Sequence, residues 1–306
     1  MLRARFPLGG PLDLRLTLGP LRHGPRDPCV VLARRQAWRA TVTAEGAATV
    51  HLRVEGDGGA PSLAATAWGP GAAAALAAVP ALVGETDDRR GFRPEAHPVV
   101  ADLARRLAGL RVPRSGAVLE ALVPVVLAQK VTAGEAVRAY GALVGRLGEP
   151  APGPAGAQGL RVPPSPARLA ETPSWAFHPW GVERRRAETI VRACRVAHRL
   201  EEAATRSPAE AAARLTTVAG VGPWTAAKVA FAALGHADAV CTGDFHLPHD
   251  VCWALAGEPR GDDARMLALL APFAGHRARV QRLVVAGAGH APRYGPRLAP
   301  RSLAGI

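Results

Sequence analysis

Leu215-Thr-Thr-Val-Ala-Gly-Val-Gly-Pro-Trp-Thr-Ala-Ala-Lys-Val-Ala230 is the stretch on which the reading of this chain turns. One helical pattern ends at Gly220-Val221-Gly222, and a second begins at once with Pro223 in its first turn, where the missing N–H costs nothing. Glycines at 220 and 222 permit positive φ and let backbone approach a ligand closely. The helix that follows directs free N–H groups and the positive end of its dipole to the same point. Such a hairpin is made to hold one phosphate. A plain tight turn between two helices would use the same glycines, so the flanking sequence has to decide.

On either side of the hairpin, a period of 3 to 4 predicts helices at about 97–110, 115–129, 132–147, 166–171, 182–205, 208–215, 223–234, 245–256, 262–271 and 275–287. Pro124 lies inside 119–129, where an interior proline costs roughly 3 kcal/mol, so a kink or a helix start is expected there. Gly148 to Pro166 reads as a long surface loop. The first 85 or so residues differ. Leu12, Leu14, Leu16 and Leu18 alternate with polar residues, as do Val50, Leu52 and Val54, which is the period of half-buried strands. Ala37 to Val42 and Leu63 to Trp68 read as two more strands, Gly56-Asp57-Gly58-Gly59 and Gly69-Pro70 as turns, and Gly71 to Val83 as an alanine-rich helix. The expected class is α+β, with a small β-rich α+β domain over 1–90 and an all-α region over 91–306 that ends in a basic tail.

Charge points to an acidic partner. The chain of 306 residues carries 38 Lys+Arg against 25 Asp+Glu, a formal net charge of +13. Lys130 and Lys228 are the only lysines, a bias of a GC-rich genome, but that explains the kind of cation and not its excess. From His276 to Ile306 there are arginines at 277, 279, 282, 293, 297 and 301 and no carboxylate side chain, a patch suited to phosphates. Cysteines 29, 194, 241 and 252 form no CxxC pair, so neither a disulfide framework nor a zinc ribbon is expected, and the expected location is a reducing one, cytoplasmic and nucleoid-associated. No stretch has the length of apolar sequence that a membrane span needs.

Leu215 to Ala230 resembles the helix-hairpin-helix of the DNA glycosylase superfamily, and Gly243-Asp244 falls about twenty residues after the hairpin, where that superfamily places its catalytic aspartate. His97-Pro98, Leu110-Arg-Val-Pro-Arg114, Leu119-Glu-Ala-Leu, Val126-Leu-Ala-Gln-Lys-Val-Thr132 and Gly181-Val-Glu-Arg-Arg-Arg-Ala-Glu188 look like the alkylation-repair branch, the 3-methyladenine DNA glycosylase II type. The resemblance covers roughly 95–290 and implies a monomeric, cofactor-free enzyme that flips a damaged base from double-stranded DNA and hydrolyses its glycosidic bond. It implies Asp244 as the catalytic carboxylate, Trp224 in the base pocket, and Gly220, Val221, Gly222, Thr225, Lys228, Gln129 and Lys130 as DNA contacts. It also leaves room for a structural monovalent cation on the hairpin carbonyls near Thr216, Val218 and Val221. Trp224 stands where bifunctional members carry a Schiff-base lysine, so a monofunctional enzyme is implied.

Each of these residues has a plainer reading. Asp244 could be no more than an N-cap, Trp224 a core residue and Lys228 a surface residue. The chain also departs from the family. Lys130 occupies the position of a wedge that is often apolar, and Val285 falls near a second pocket tryptophan, while Trp175, Phe177 and Trp180 are left as other aromatic walls or as core. Two rival functions remain. One is a non-catalytic phosphate clamp, and the other a metal-dependent hydrolase built on Asp244, His246, His249 and Asp250. An iron–sulfur cluster would need four cysteines after Asp244, and only Cys252 lies there.

Overall fold

The structure is a computed structural model that describes residues 1–56 and 61–293. Residues 57–59 of the glycine turn, and Arg297 and Arg301 of the basic tail, lie outside the described residues. The class is α+β. Strands β1 (Leu2–Pro7), β2 (Val30–Leu32), β3 (Gln36–Thr43), β4 (Gly46–Glu55) and β5 (Ser62–Trp68) form an antiparallel sheet in the order β1-β5-β4-β3-β2. Register follows burial: Ala37, Leu52, Ala65 and Ala4 stand opposite one another across four strands. Their face packs on Leu14, Leu18 and the short helices Ala72–Ala77 and Val79–Leu82.

The strand expected over Leu12–Leu18 is a one-turn helix, Leu14–Leu18. Leu14 and Leu18 are two strand repeats apart and also one helical turn apart, so alternating leucines fit either structure. Asp13 decides between them, because its Oδ1 accepts the Leu16 N–H at 2.9 Å and caps a helix. Leu14, Thr17 and Leu18 then share one buried face. β1 and β2 were not legible from alternation.

Gly148 to Pro166, expected as a surface loop, covers the second face of the sheet instead. Glu149–Pro150 pairs with Arg161–Val162 in a small ribbon, so this region is not purely helical. Ala151, Ala155 and Val162 pack on Ala40, flanked by Trp38 and Val42. That outward apolar row of β3 needs cover, and the loop supplies it. Gly153, at φ 74°, lies where any Cβ would collide with the Trp68 ring, so glycine is required there.

Ten helices were expected beyond residue 95. The helix Val118–Leu127 includes Pro124 and buries it, so the helix starts before the proline and not at it. Arg184–Arg195, Ala197–Glu201 and a 3-10 turn at Glu202–Thr205 replace the single helix expected over 182–205. The sheet and the helices share buried contacts. The Glu120 carboxylate accepts the Val42 N–H at 2.7 Å, the Thr41 hydroxyl at 2.7 Å and an Arg39 guanidinium N–H at 2.6 Å. Cys29 and Val30 belong to the core formed by Val118–Leu127 and Ala133–Leu147. Among the described residues no helix is long and apolar enough to cross a membrane.

Candidate active site

The hairpin forms as its local chemistry dictates. The helix Pro208–Thr216 opens with a capping box between Ser207 and Glu210, and the helix Pro223–Leu234 opens on Pro223 and closes on Gly235 in the left-handed region. Gly220 has φ 99°, and its missing Cβ leaves room for the Thr189 side chain of helix Arg184–Arg195. Gly222 has φ −99°, so the expectation of positive φ at both glycines holds only for Gly220. At Gly222 the space beside the Cα is open, which is what close approach of a ligand requires. Pro223 has no N–H, and helix geometry leaves those of Trp224 and Thr225 without an i−4 partner.

Gln129 braces this turn from the side. Its amide donates to the Gly220 carbonyl at 2.9 Å and to Thr225 Oγ1 at 2.9 Å. Thr225 is buried and its hydroxyl belongs to this brace, so the expected DNA contact would have to be made by its backbone N–H. Arg186, buried and not singled out in the sequence, donates to the Leu127 carbonyl at 2.7 Å and anchors the end of helix Val118–Leu127 from which Gln129 and Lys130 project. Lys130 is exposed at φ 55°, the only non-glycine of positive φ among the described residues. Such a conformation costs about 1 kcal/mol or more and tends to persist where function holds it. The Val218 carbonyl accepts the Val221 N–H at 2.9 Å, which leaves it one lone pair for any cation shared with Thr216 and Val221.

Asp244 lies on the wall of a cavity of about 510 Å³. Its Oδ1 accepts the N–H groups of His246 at 3.0 Å and Leu247 at 3.1 Å; the N-cap of the helix Leu247–Ala256 is His246, and Asp244, two residues before it, satisfies the first free N–H of that helix. Oδ2 accepts the Trp224 indole N–H at 2.9 Å and faces Lys228 Nζ at 3.4 Å. Burial alone would raise its pKa, but the Lys228 charge, the indole and the two backbone N–H groups overcome this and hold it at about 2. Asp244 is therefore an anion throughout the physiological range. Cys241, also on the wall, is pushed up to about 12 by burial and is an inert thiol.

Lys228 was expected on a phosphate or at the surface. Its side chain is 40% exposed and lines the cavity one helical turn from Trp224, with the ammonium 5.0 Å from the indole centroid. The i, i+4 spacing was a legible signal for this, since it places both side chains on one face. The opposite wall was not legible. It comes from Leu21, Arg22 and His23 of the N-terminal region, from Tyr140, and from Gln281 and Arg282 of helix Arg277–Gly287, which also brings Val285. Burial lowers His23 to about 4, so its ring is neutral. Trp175 is exposed and Phe177 is core, and neither these nor Trp180 line the cavity.

Two further expectations fail on partners that the linear sequence hides. The metal-site reading requires Asp244, His246, His249 and Asp250 to converge. Instead, His249 accepts the Gly261 N–H at 3.0 Å, and Asp250 bonds His290 at 2.9 Å and the Ala291 N–H at 2.9 Å. Among the described residues no three His, Cys, Asp or Glu side chains form a metal-binding group. The C-terminal arginines are not all free for phosphates either. Arg277 pairs with Asp238, Arg279 with Asp87, and Arg282 is turned inward.

The chain is similar to several solved structures. A 3-methyladenine DNA glycosylase from Archaeoglobus fulgidus aligns at 20% identity with a TM-score of 0.77, covering 93% of this chain and 97% of that one. MBOgg1 in complex with a low affinity DNA ligand aligns at 16% identity and TM-score 0.70, covering 93% and 94%. An 8-oxoguanine glycosylase/lyase from Clostridium acetobutylicum, in complex with double-stranded DNA containing cytosine opposite 8-oxoguanine, aligns at 12% identity and TM-score 0.66, covering 89% and 90%. No protein-family model matches the chain, and no curated protein is similar to it at a significant level. The fold is that of helix-hairpin-helix DNA glycosylases.

Proposed function

We propose that this chain is a monofunctional DNA glycosylase, which draws a damaged base from the duplex into the Asp244 cavity and hydrolyses its glycosidic bond. The observation that carries the reading is an anionic carboxylate, held at about 2, on the wall of a base-sized cavity and bonded to the helix that begins at the hairpin. Breaking the bond between sugar and base builds positive charge at C1′, and a preorganised anion beside it stabilises that charge and orients the attacking water. The hairpin holds a backbone phosphate, and Lys130 reaches the duplex from its strained turn. Flipping costs a few kcal/mol and is least costly for a damaged base. The resemblance favours an alkylated base of the 3-methyladenine type. A purely structural DNA clamp is the weaker reading, because a fixed anion beside a phosphate site lowers affinity unless chemistry needs it.

The test is base release from a panel of lesion-containing duplexes. The expected product is a free base and an intact strand with an abasic site. No covalent adduct should be trapped by borohydride, because the Schiff-base position holds Trp224 and the Lys228 amine is engaged as the cation of an ion pair. Efficient trapping that disappears in Lys228→Ala would show that the lysine is a nucleophile instead.

Binding to undamaged duplex should weaken steeply with salt, each neutralised phosphate adding about 0.9 to the log–log slope. A titration from low to moderate salt measures this. A flat response would remove the nucleic-acid reading.

A further inference from the structure

Resting on the glycosylase reading of the site but departing from its 3-methyladenine-type substrate, we propose that the Lys228 ammonium, seated against Asp244 and over the Trp224 ring, makes the cavity select an uncharged damaged purine over a cationic N-alkylpurine.

The indole face is the first ground. A cationic base gains from an aromatic pocket when its charge lies over a ring face. Here Lys228 Nζ already lies 5.0 Å from the Trp224 centroid, and among the described residues Trp224 is the only tryptophan on the cavity wall. A second cation brought to this place meets a like charge inside a partly desolvated site. The second ground is the charge of the whole wall. Arg22, Arg39, Lys228 and Arg282 line the cavity against Glu120, Asp244 and Asp250. Arg39 pairs with Glu120 and Lys228 with Asp244, whereas Arg282 pairs with no carboxylate among the described residues and its Nε is buried without a partner. Among the described residues Arg282 donates to the Leu16 carbonyl alone, at 2.9 Å. The cavity thus holds an interior guanidinium that no carboxylate of the described residues pairs with.

The third ground is the reaction. A cationic alkylpurine leaves as a neutral molecule and needs no help at the base. An uncharged purine leaves with the electron pair of the C1′–N9 bond, so negative charge grows on the ring as the bond breaks. A cation fixed beside the base is complementary to that transition state and not to a cationic ground state. The Lys228 N–H faces the developing charge while Asp244 faces the sugar. Water bonds to C1′ and loses one proton, the departing purine takes up one, and the lysine returns to its starting state. Lys228 is thereby a catalytic residue for the uncharged substrate.

The experiment compares single-turnover excision from duplexes carrying hypoxanthine, an uncharged purine, and 7-methylguanine at mildly acidic pH, where it carries positive charge. Each rate is divided by that of the spontaneous loss. Wild type should accelerate hypoxanthine release at least about tenfold more than 7-methylguanine release. Lys228→Gln should slow hypoxanthine excision about a hundredfold and 7-methylguanine excision at least about tenfold less, so that the preference shrinks or reverses, and Lys228→Arg should keep the wild-type preference. A merely structural lysine would lower both rates together, and that result overturns the proposal. So does a wild type that accelerates 7-methylguanine more. If wild type releases no base from any duplex, the glycosylase reading itself falls and the selectivity with it.

Discussion

Asp244→Asn is expected to lose about a hundredfold or more of base excision at saturating enzyme, because asparagine cannot supply the charge that stabilises the sugar in the transition state. The geometry separates this from capping. The asparagine Oδ1 can still accept the His246 and Leu247 N–H groups, so a residue whose work was only to cap would lose little on this change. On the other side the amide would turn its NH₂ toward the Trp224 indole N–H and the Lys228 ammonium, donors against donors. Some stability is lost there as well, about 1–3 kcal/mol for unsatisfied groups. Rates should therefore be compared well below the melting temperature of the variant, on a duplex that wild type processes. Near-wild-type excision by a folded variant would remove Asp244 from the mechanism.

The same carboxylate sets a pH dependence with a definite sign. Its folded pKa of about 2 lies below the ordinary value of 3.8, so its contribution to stability, on the order of 2 kcal/mol, is present above pH 3.8 and is lost as pH falls toward 2. Excision should show no acid limb from this group between neutrality and the ordinary aspartate range.

Arg279→Met is expected to cost about 3–5 kcal/mol of stability, the largest effect on folding among these changes. The guanidinium is fully buried and donates to both oxygens of Asp87 at 2.6 and 2.7 Å and to the Asp88 carbonyl at 3.2 Å. This contact ties the segment after the N-terminal sheet to helix Arg277–Gly287, whose next turn carries Gln281 and Arg282 into the cavity. Removing the cation leaves the buried Asp87 carboxyl, among the described residues, with only the Val112 N–H at 3.1 Å and the Arg89 guanidinium at 3.8 Å. Asp87→Asn added to Arg279→Met should recover a substantial part of the loss, because the amide is neutral and its oxygen can still accept the Val112 N–H that Asp87 now accepts at 3.1 Å. Urea unfolding of the single and double variants checks both statements. A single variant within about 1 kcal/mol of wild type, or a double variant no better than the single, would show that the pair is not what holds these elements together.

Local sequence alone specifies the hairpin, most of the helices beyond residue 95 and the place of Asp244 in the chain. These rest on local chemistry: a period of 3 to 4, a capping box at Ser207 and Glu210, proline opening a helix at 223, and glycine where φ is positive at 220. Leu12–Leu18 marks the edge of that legibility, since its spacing suits strand and helix alike and only the Asp13 cap tells them apart. Tertiary structure decided everything that depends on which faces meet. It placed Lys228 on Asp244, turned Arg279 and Arg282 inward from a run that reads as a basic tail, and separated the four residues that could have bound a metal. It also built the far wall of the cavity from Arg22, His23 and Tyr140. The physical reason is one of range. Torsional preferences and caps act within a turn or two of the chain. Whether a charge is paired, buried or free is set by partners tens to hundreds of residues away, whose approach is fixed only when the apolar faces have closed.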